Sequence, residues 1–226
     1  MSKSFEDSCK EKLDTLINHE LIVNGSYMVL KQILNLQENK VDLLNLSVSF
    51  YRTVVNNCVS TIFIELAKEY DTSSQTLNLH SLLSKISKNL HLLQDKSFSI
   101  YLFSNLDAYD AETTSFDSIS AFIDYALSEL NSVVDIVNRV KKLRDKYYAH
   151  LEMGFAQNPE KLFSANKITY AEIEQLLVLY SNICNGLNVF FNDTTTMPLV
   201  ISCEDYDKTL YYVIKGIQAE QKRYGE

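Results

Sequence analysis

SISAFIDYALSELNSVVDIVNRVKKLRDKYYAHLE, residues 118–152, decides the fold class and carries an apolar stripe that one charge interrupts. Stepping ~100° per residue from Val137 brings Ile119, Ile123, Ala126, Leu130, Val133, Tyr148 and Leu151 within about 40° of one line, the pattern of a helix with one face in a core. Arg144 falls on the same line. A guanidinium on an apolar stripe is costly to bury alone. It must snorkel at an edge, pair with a carboxylate, or sit at an interface where an anion arrives.

Outward from this stretch the chain reads as further helices. Ser4 with Glu6 and Asp7 caps a start, and Leu13, Leu16, Ile17 and Leu21 form a face that Asn24-Gly25-Ser26 is expected to stop. A second piece over 27–37 and a long helix over 41–70 follow, the latter with Leu44, Val48, Tyr51, Val55, Cys58, Ile62 and Leu66 toward the core. Asp71-Thr72-Ser73-Ser74 breaks it, a shorter helix spans 79–94, and NLDAYDAETTSFD (105–117) reads as a loop. Helices over 169–192 and 204–223 flank the loop DTTTMPLV around Pro198. The pattern predicts a single all-α domain, 1–226, a bundle of six or seven helices without repeat or linker.

Composition agrees. The 226 residues are 46% hydrophobic and 22% charged, with five Gly and two Pro, too few for a turn-rich β fold. A net charge of −8 opposes diffuse binding to polyanions, so any nucleic-acid role needs a local patch. One exists: over 139–150, Arg139, Lys141, Lys142, Arg144 and Lys146 stand against Asp145 alone, a local +4 that leaves −12 elsewhere. Cys9, Cys58, Cys184 and Cys203 lack CxxC spacing, and the opening MSKSFEDSCKEK has no apolar run, so free thiols and a cytoplasmic location are expected. No uninterrupted apolar stretch approaches membrane-spanning length. No phosphate-cradling glycine motif or nucleophile elbow is present. His19, His80 and His91 have no Glu-x-x-His or His-x-x-x-His companions, so they are expected at the surface or in caps, with no metal and no cofactor.

Within the charged segment, Arg144 is followed by Asp145 and, six positions on, by His150. Chance would supply an Arg, an adjacent Asn, Asp or His, and a His at such spacing roughly 0.03 times in this composition. Arg144-Asp145-Lys146-Tyr147-Tyr148-Ala149-His150 resembles the mark of the HEPN domains, an Arg, a polar residue, and a His after four to six intervening residues. SFYRTVVNNCVSTIFIELAKEYD followed by TLNLHSLLSKI extends the resemblance to the abortive-infection, AbiU-type branch, over about 41–190.

That resemblance implies a homodimer in which two copies of the motif line one cleft and cut RNA, tRNA included, without a metal. Arg144 would clamp the scissile phosphate, His150 would move a proton as base or acid, and Asp145 would orient Arg144 or a substrate hydroxyl. Lys141, Lys142 and Lys146 would hold phosphates, and Tyr147 would stack on a base or pack in the core, whereas Tyr148 belongs to the core. It also implies a role as a toxin in phage defence. Some members have a nucleotidyltransferase antitoxin that modifies a tyrosine two residues past the histidine; this chain has Glu152 there, with Tyr147 and Tyr148 nearby. The alternative is a non-catalytic module binding RNA or a protein partner. In a straight helix Arg144 and His150 would lie about 120° apart around the axis and about 9 Å along it, so a kink, a helix end near Gly154, or completion across a two-fold axis is expected.

Overall fold

The computed structural model describes residues 3–39, 41–45, 47–106, 111–148, 159–196 and 203–224. In chain order the elements are α1 (Phe5–Asn39), α2 (Val41–Asn45), α3 (Val48–Glu69), α4 (Leu79–Ser87) and a 3-10 turn (Leu90–Leu92). Then come β1 (Phe98–Phe103), β2 (Ala111–Phe116), α5 (Ile119–Ser132), α6 (Val134–Leu143) and a π turn (Arg144–Tyr148). α7 (Pro159–Ala165), α8 (Tyr170–Asn192) and α9 (Cys203–Tyr224) complete it. The fold is mostly α, as the sequence predicts. None of the described helices is long and apolar enough to cross a membrane.

α1 packs most extensively on α3 and α8. From Leu176 to Leu187 every residue of α8 is buried, so this helix is core on all sides. Its start matches expectation: Thr169 accepts from the Glu172 amide while Glu172 accepts from the Thr169 amide, a capping box. Four polar residues buried with it, Ser181, Asn182, Asn185 and Asn188, need internal partners.

Three of those partners lie at its C-terminal half, where the sequence reading needs its largest correction. The stretch 105–117, expected as a loop, contains β2, which pairs antiparallel with β1 in the register Phe98↔Phe116 through Phe103↔Ala111. An isolated hairpin is marginal in water. Here Asn182 closes on the edge of β1, accepting from the Phe103 amide at 2.8 Å and donating to the Phe103 carbonyl at 3.0 Å. Asn185 donates to the Tyr101 carbonyl at 2.9 Å. Phe98, Phe116, Phe122 and Phe190 pack behind the sheet, with ring centroids 5.2–5.8 Å apart. The polar, Thr-rich face of β2 looks like a loop only while its apolar partner strand is unrecognised.

Several helix limits differ as well. α1 runs through Asn24-Gly25-Ser26, the expected stop. Asn24 is buried and spends its amide on Glu20 (3.3 Å) and Ser181 (3.5 Å), so it does not compete for its own backbone. The helix expected over 41–70 is split into α2 and α3, and Val48 is 46% exposed in the first turn of α3, ahead of the buried face formed by Tyr51, Cys58, Ile62 and Leu66. The helix over 79–94 stops at Ser87 and continues only as the 3-10 turn. The stretch 118–152 breaks at Val133 (φ −103°, ψ 6°) without Gly or Pro, although Ile119, Ile123, Ala126, Leu130, Val133 and Val137 are all buried as expected. Cys9, Cys58 and Cys184 are buried free thiols. Leu151 and Gly154 lie outside the described residues.

The α1–α3–α8 core also holds two carboxyls. Glu20 accepts from Ser181 Oγ at 2.5 Å, and burial pushes it up to about 7. Glu69 is raised too, chiefly by burial, with the His19 hydrogen bond opposing. Because folding raises the Glu20 pKa above its unfolded value, the folded state binds the extra proton. Stability should therefore fall as pH rises from about 4.5 to about 7 and level off above, a loss on the order of 3 kcal/mol. Glu20→Gln, which keeps the acceptor, should remove most of that slope and be the more stable protein at pH 8 in urea denaturation; parallel profiles for the two proteins would contradict it.

Candidate functional site

α6 positions the motif by burying Val137, Val140 and Leu143. The π turn at Arg144–Tyr148 then takes in about one more residue per turn than an α-helix does, so the α-helical phase of α6 is lost from Arg144 to Tyr148. His150 itself lies outside the described residues. Aromatic rings anchor the turn: Tyr148 stacks on Phe63 of α3 at 4.7 Å and 19°, and Tyr147 meets Phe163 of α7 edge-on at 4.9 Å. Burial pushes the Tyr148 hydroxyl up to about 12, consistent with the core role expected of it. Tyr147 is half-buried in the same cluster.

Arg144 opens the turn with its side chain only 25% exposed, against 58% for Asp145. Its Nε lies 2.5 Å from Asp145 Oδ1, yet the N–H is not aimed along that line, so the contact is an ion pair without a hydrogen bond. Nε is buried and has no acceptor among the described residues. An unsatisfied buried donor on a charged group typically costs 1–3 kcal/mol or more, and an incoming anionic oxygen would relieve it.

The surrounding cations are less concentrated than the sequence suggests. Arg139 forms an ion pair with Glu172 at 2.5 Å and also donates to the Lys167 carbonyl, and with the Thr169 contacts this holds the Glu172 carboxyl down at about 2. Lys141, 22% exposed, pairs with Asp71 at 3.1 Å. Counting these two carboxylates brings the local +4 down to +2. Lys142 is exposed and Lys146 half-buried. Asp71 and Glu172 have no sequence signal for this part, since they stand 70 and 33 positions from their partners.

His19 of α1 and Glu65 and Glu69 of α3 place one ligand atom each within 4.8 Å of one another. This trio could hold a divalent cation, and it escaped local spacing rules because His19 comes from a different helix. Its members are already engaged: His19 Nδ1 with Glu69 at 2.8 Å, and Glu65 with Lys68 at 2.6 Å. His80 is half-buried in the first turn of α4, where burial and then the Lys141 charge lower its pKa.

Below the π turn, Phe63, Leu143, Tyr148, Phe163 and Ile173 line an apolar cavity of about 270 Å³. Phe63→Ala would remove the ring on which Tyr148 rests. It should cost roughly 1–3 kcal/mol, less than a fully buried Phe because Phe63 is half-buried, measured as a lower urea midpoint; an unchanged midpoint would show that the stack does not anchor the turn.

Comparison with known proteins adds one finding. The family model HEPN_AbiU2, described as AbiU2, matches residues 9–208. No curated protein and no solved structure matches the chain.

Proposed function

The chain belongs to the HEPN AbiU2 family, and we propose that it is a metal-independent endoribonuclease of the abortive-infection type. Family membership by itself supports a nuclease-like or RNA-binding module. The observation that carries the finer reading is Arg144, three-quarters buried on a π turn, with a buried Nε–H that lacks an acceptor among the described residues. Such turns recur at functional sites, and a poised guanidinium donor suits a phosphate whose negative charge grows in the transition state.

RNA brings its own nucleophile. The 2′-OH attacks the adjacent phosphorus while His150 takes its proton, the P–O5′ bond breaks, and the leaving oxygen receives a proton from the protonated imidazole of a second motif or from water. The products are a 2′,3′-cyclic phosphate and a 5′-hydroxyl. Arg144 binds the non-bridging oxygens, and Asp145 holds the guanidinium from one side. Lys142 and Lys146 meet neighbouring phosphates, with Lys141 at the margin through its pairing to Asp71, and Tyr147 offers an edge to a base. Two copies of the chain would bring two motifs to one cleft, supplying the second proton-transfer group. The role is that of a phage-defence toxin, with RNA, tRNA among it, as substrate and an antitoxin or nucleotidyltransferase as a further partner.

Purified protein in EDTA should convert total RNA or tRNA to fragments with cyclic phosphate ends. Arg144→Ala should slow this by roughly 10²–10³-fold and His150→Ala by roughly 10²–10⁴-fold, with unchanged circular dichroism. Equal cleavage by all three proteins would sink the assignment. RNA retention without new ends would instead establish the non-catalytic binding module.

A further inference from the structure

A second polar feature lies outside the motif. α4 buries Leu79, Leu82, Leu83 and Ile86 and turns His80, Ser84 and Lys88 to the opposite side, at helical steps of four. That side, the loop before it and Lys12 of α1 enclose a cleft of about 670 Å³. Lys12, Lys85, Lys88 and His80 supply its charge, Thr72 and Ser84 are among its hydroxyls, and among the described residues no Asp or Glu lines it.

The absence of acid there is informative in a chain with 29 acidic and 21 basic residues. Lys3, Lys10, Lys31, Lys68, Lys96 and Lys141 each have a carboxylate partner. Among the described residues Lys12, Lys85 and Lys88 have none, as is also true of Lys142, Lys167, Lys215 and Lys222, but these three share one cleft, where Lys85 donates to Ser8 Oγ at 3.0 Å and lies over the Phe5 ring. Burial and then the neighbouring Lys85 charge lower the Lys12 ammonium, with Cys9 opposing. The cleft is also pre-shaped. Asn78, fully buried, ties the loop by donating to the Ser73 carbonyl at 2.9 Å and caps α4 by accepting from the Ser81 amide at 2.7 Å. A cleft that concentrates positive charge on rigid walls is built for a multiply charged anion.

We infer that this cleft binds phosphates, those of an RNA strand that continues to the Arg144 turn. Its edge leads there: Thr72 of the cleft wall follows Asp71, which pairs with Lys141 at 3.1 Å, and Lys141 stands three residues, ~4.5 Å along the helix, before Arg144. As an RNA site it rests on the function proposed above; as a phosphate site it stands on its lysines.

The test uses the full chain and two probes, a fluorescein-labelled single-stranded RNA and ATP, with affinity read by anisotropy for the RNA and calorimetry for ATP. Lys12→Gln/Lys85→Gln/Lys88→Gln should weaken RNA binding at least ~10-fold at low salt and reduce the log–log salt slope by about 2, as expected for three lost phosphate contacts. Lys12→Gln/Lys88→Gln, which spares the Ser8 and Phe5 contacts of Lys85, should show a smaller loss in the same direction. Loss of ATP affinity with RNA binding intact would support the phosphate site but assign it to a free nucleotide. Unchanged affinity for both probes in both variants would overturn the inference, even if EDTA-resistant, Arg144-dependent cleavage persists. Weaker RNA binding in a protein that never cleaves RNA would uphold the cleft and remove the ribonuclease.

Discussion

A helix buried on every side cannot leave any of its polar side chains unmatched, and α8 places this demand on the whole molecule. Most of its buried polar groups dictate the position of another element, whereas Asn188 is met by Asn192 and by the Thr194 carbonyl just past the helix. Tyr180 donates to the Leu16 carbonyl and Ser181 to Glu20, which fix α1; Asn182 and Asn185 fix the edge of β1. The Thr169–Glu172 cap then draws Arg139 onto α8 and with it the start of the motif helix. Where groups are held this way, apolar packing can remain generic while the arrangement stays unique. Glu20 shows the cost, since its environment favours the neutral acid near neutral pH.

How much of this was legible beforehand depended on whether the deciding contact was local. The stripe of Ile119 to Val137 and the extents of α8 and α9 follow from i, i+3 and i+4 relations, and the sequence shows them. Asn24 failed as a helix stop because its partner Ser181 lies 157 positions away. β2 failed as a loop because its strand character comes from the pairing with β1, itself held by asparagines of α8. The break at Val133 carries no Gly or Pro and leaves the buried stripe intact, so no periodicity could reveal it.

The same division runs through the site. Arg144 was conspicuous because a charge on an apolar stripe violates a local rule, and the structure starts a π turn at that residue. The charge of the segment, by contrast, was overstated. Asp71 reads in the sequence only as a helix breaker and Glu172 carries no signal there, yet each takes a cation from the count. Sequence summation locates positive charge along the chain; it does not reveal which of it is already spent.

The break at Val133 has a mechanical consequence. α6 and the π turn pack mainly on α3, and their contact with α5 is slight, whereas the hairpin rests on α8 and touches α5. The motif and the hairpin thus lean on different parts of the core but meet through α8, which holds β1 by Asn182 and Asn185 and α6 by the Arg139–Glu172 pair. A load applied to β1 or β2 therefore reaches the Arg144 turn by way of α8 or across the slight contact between α5 and α6.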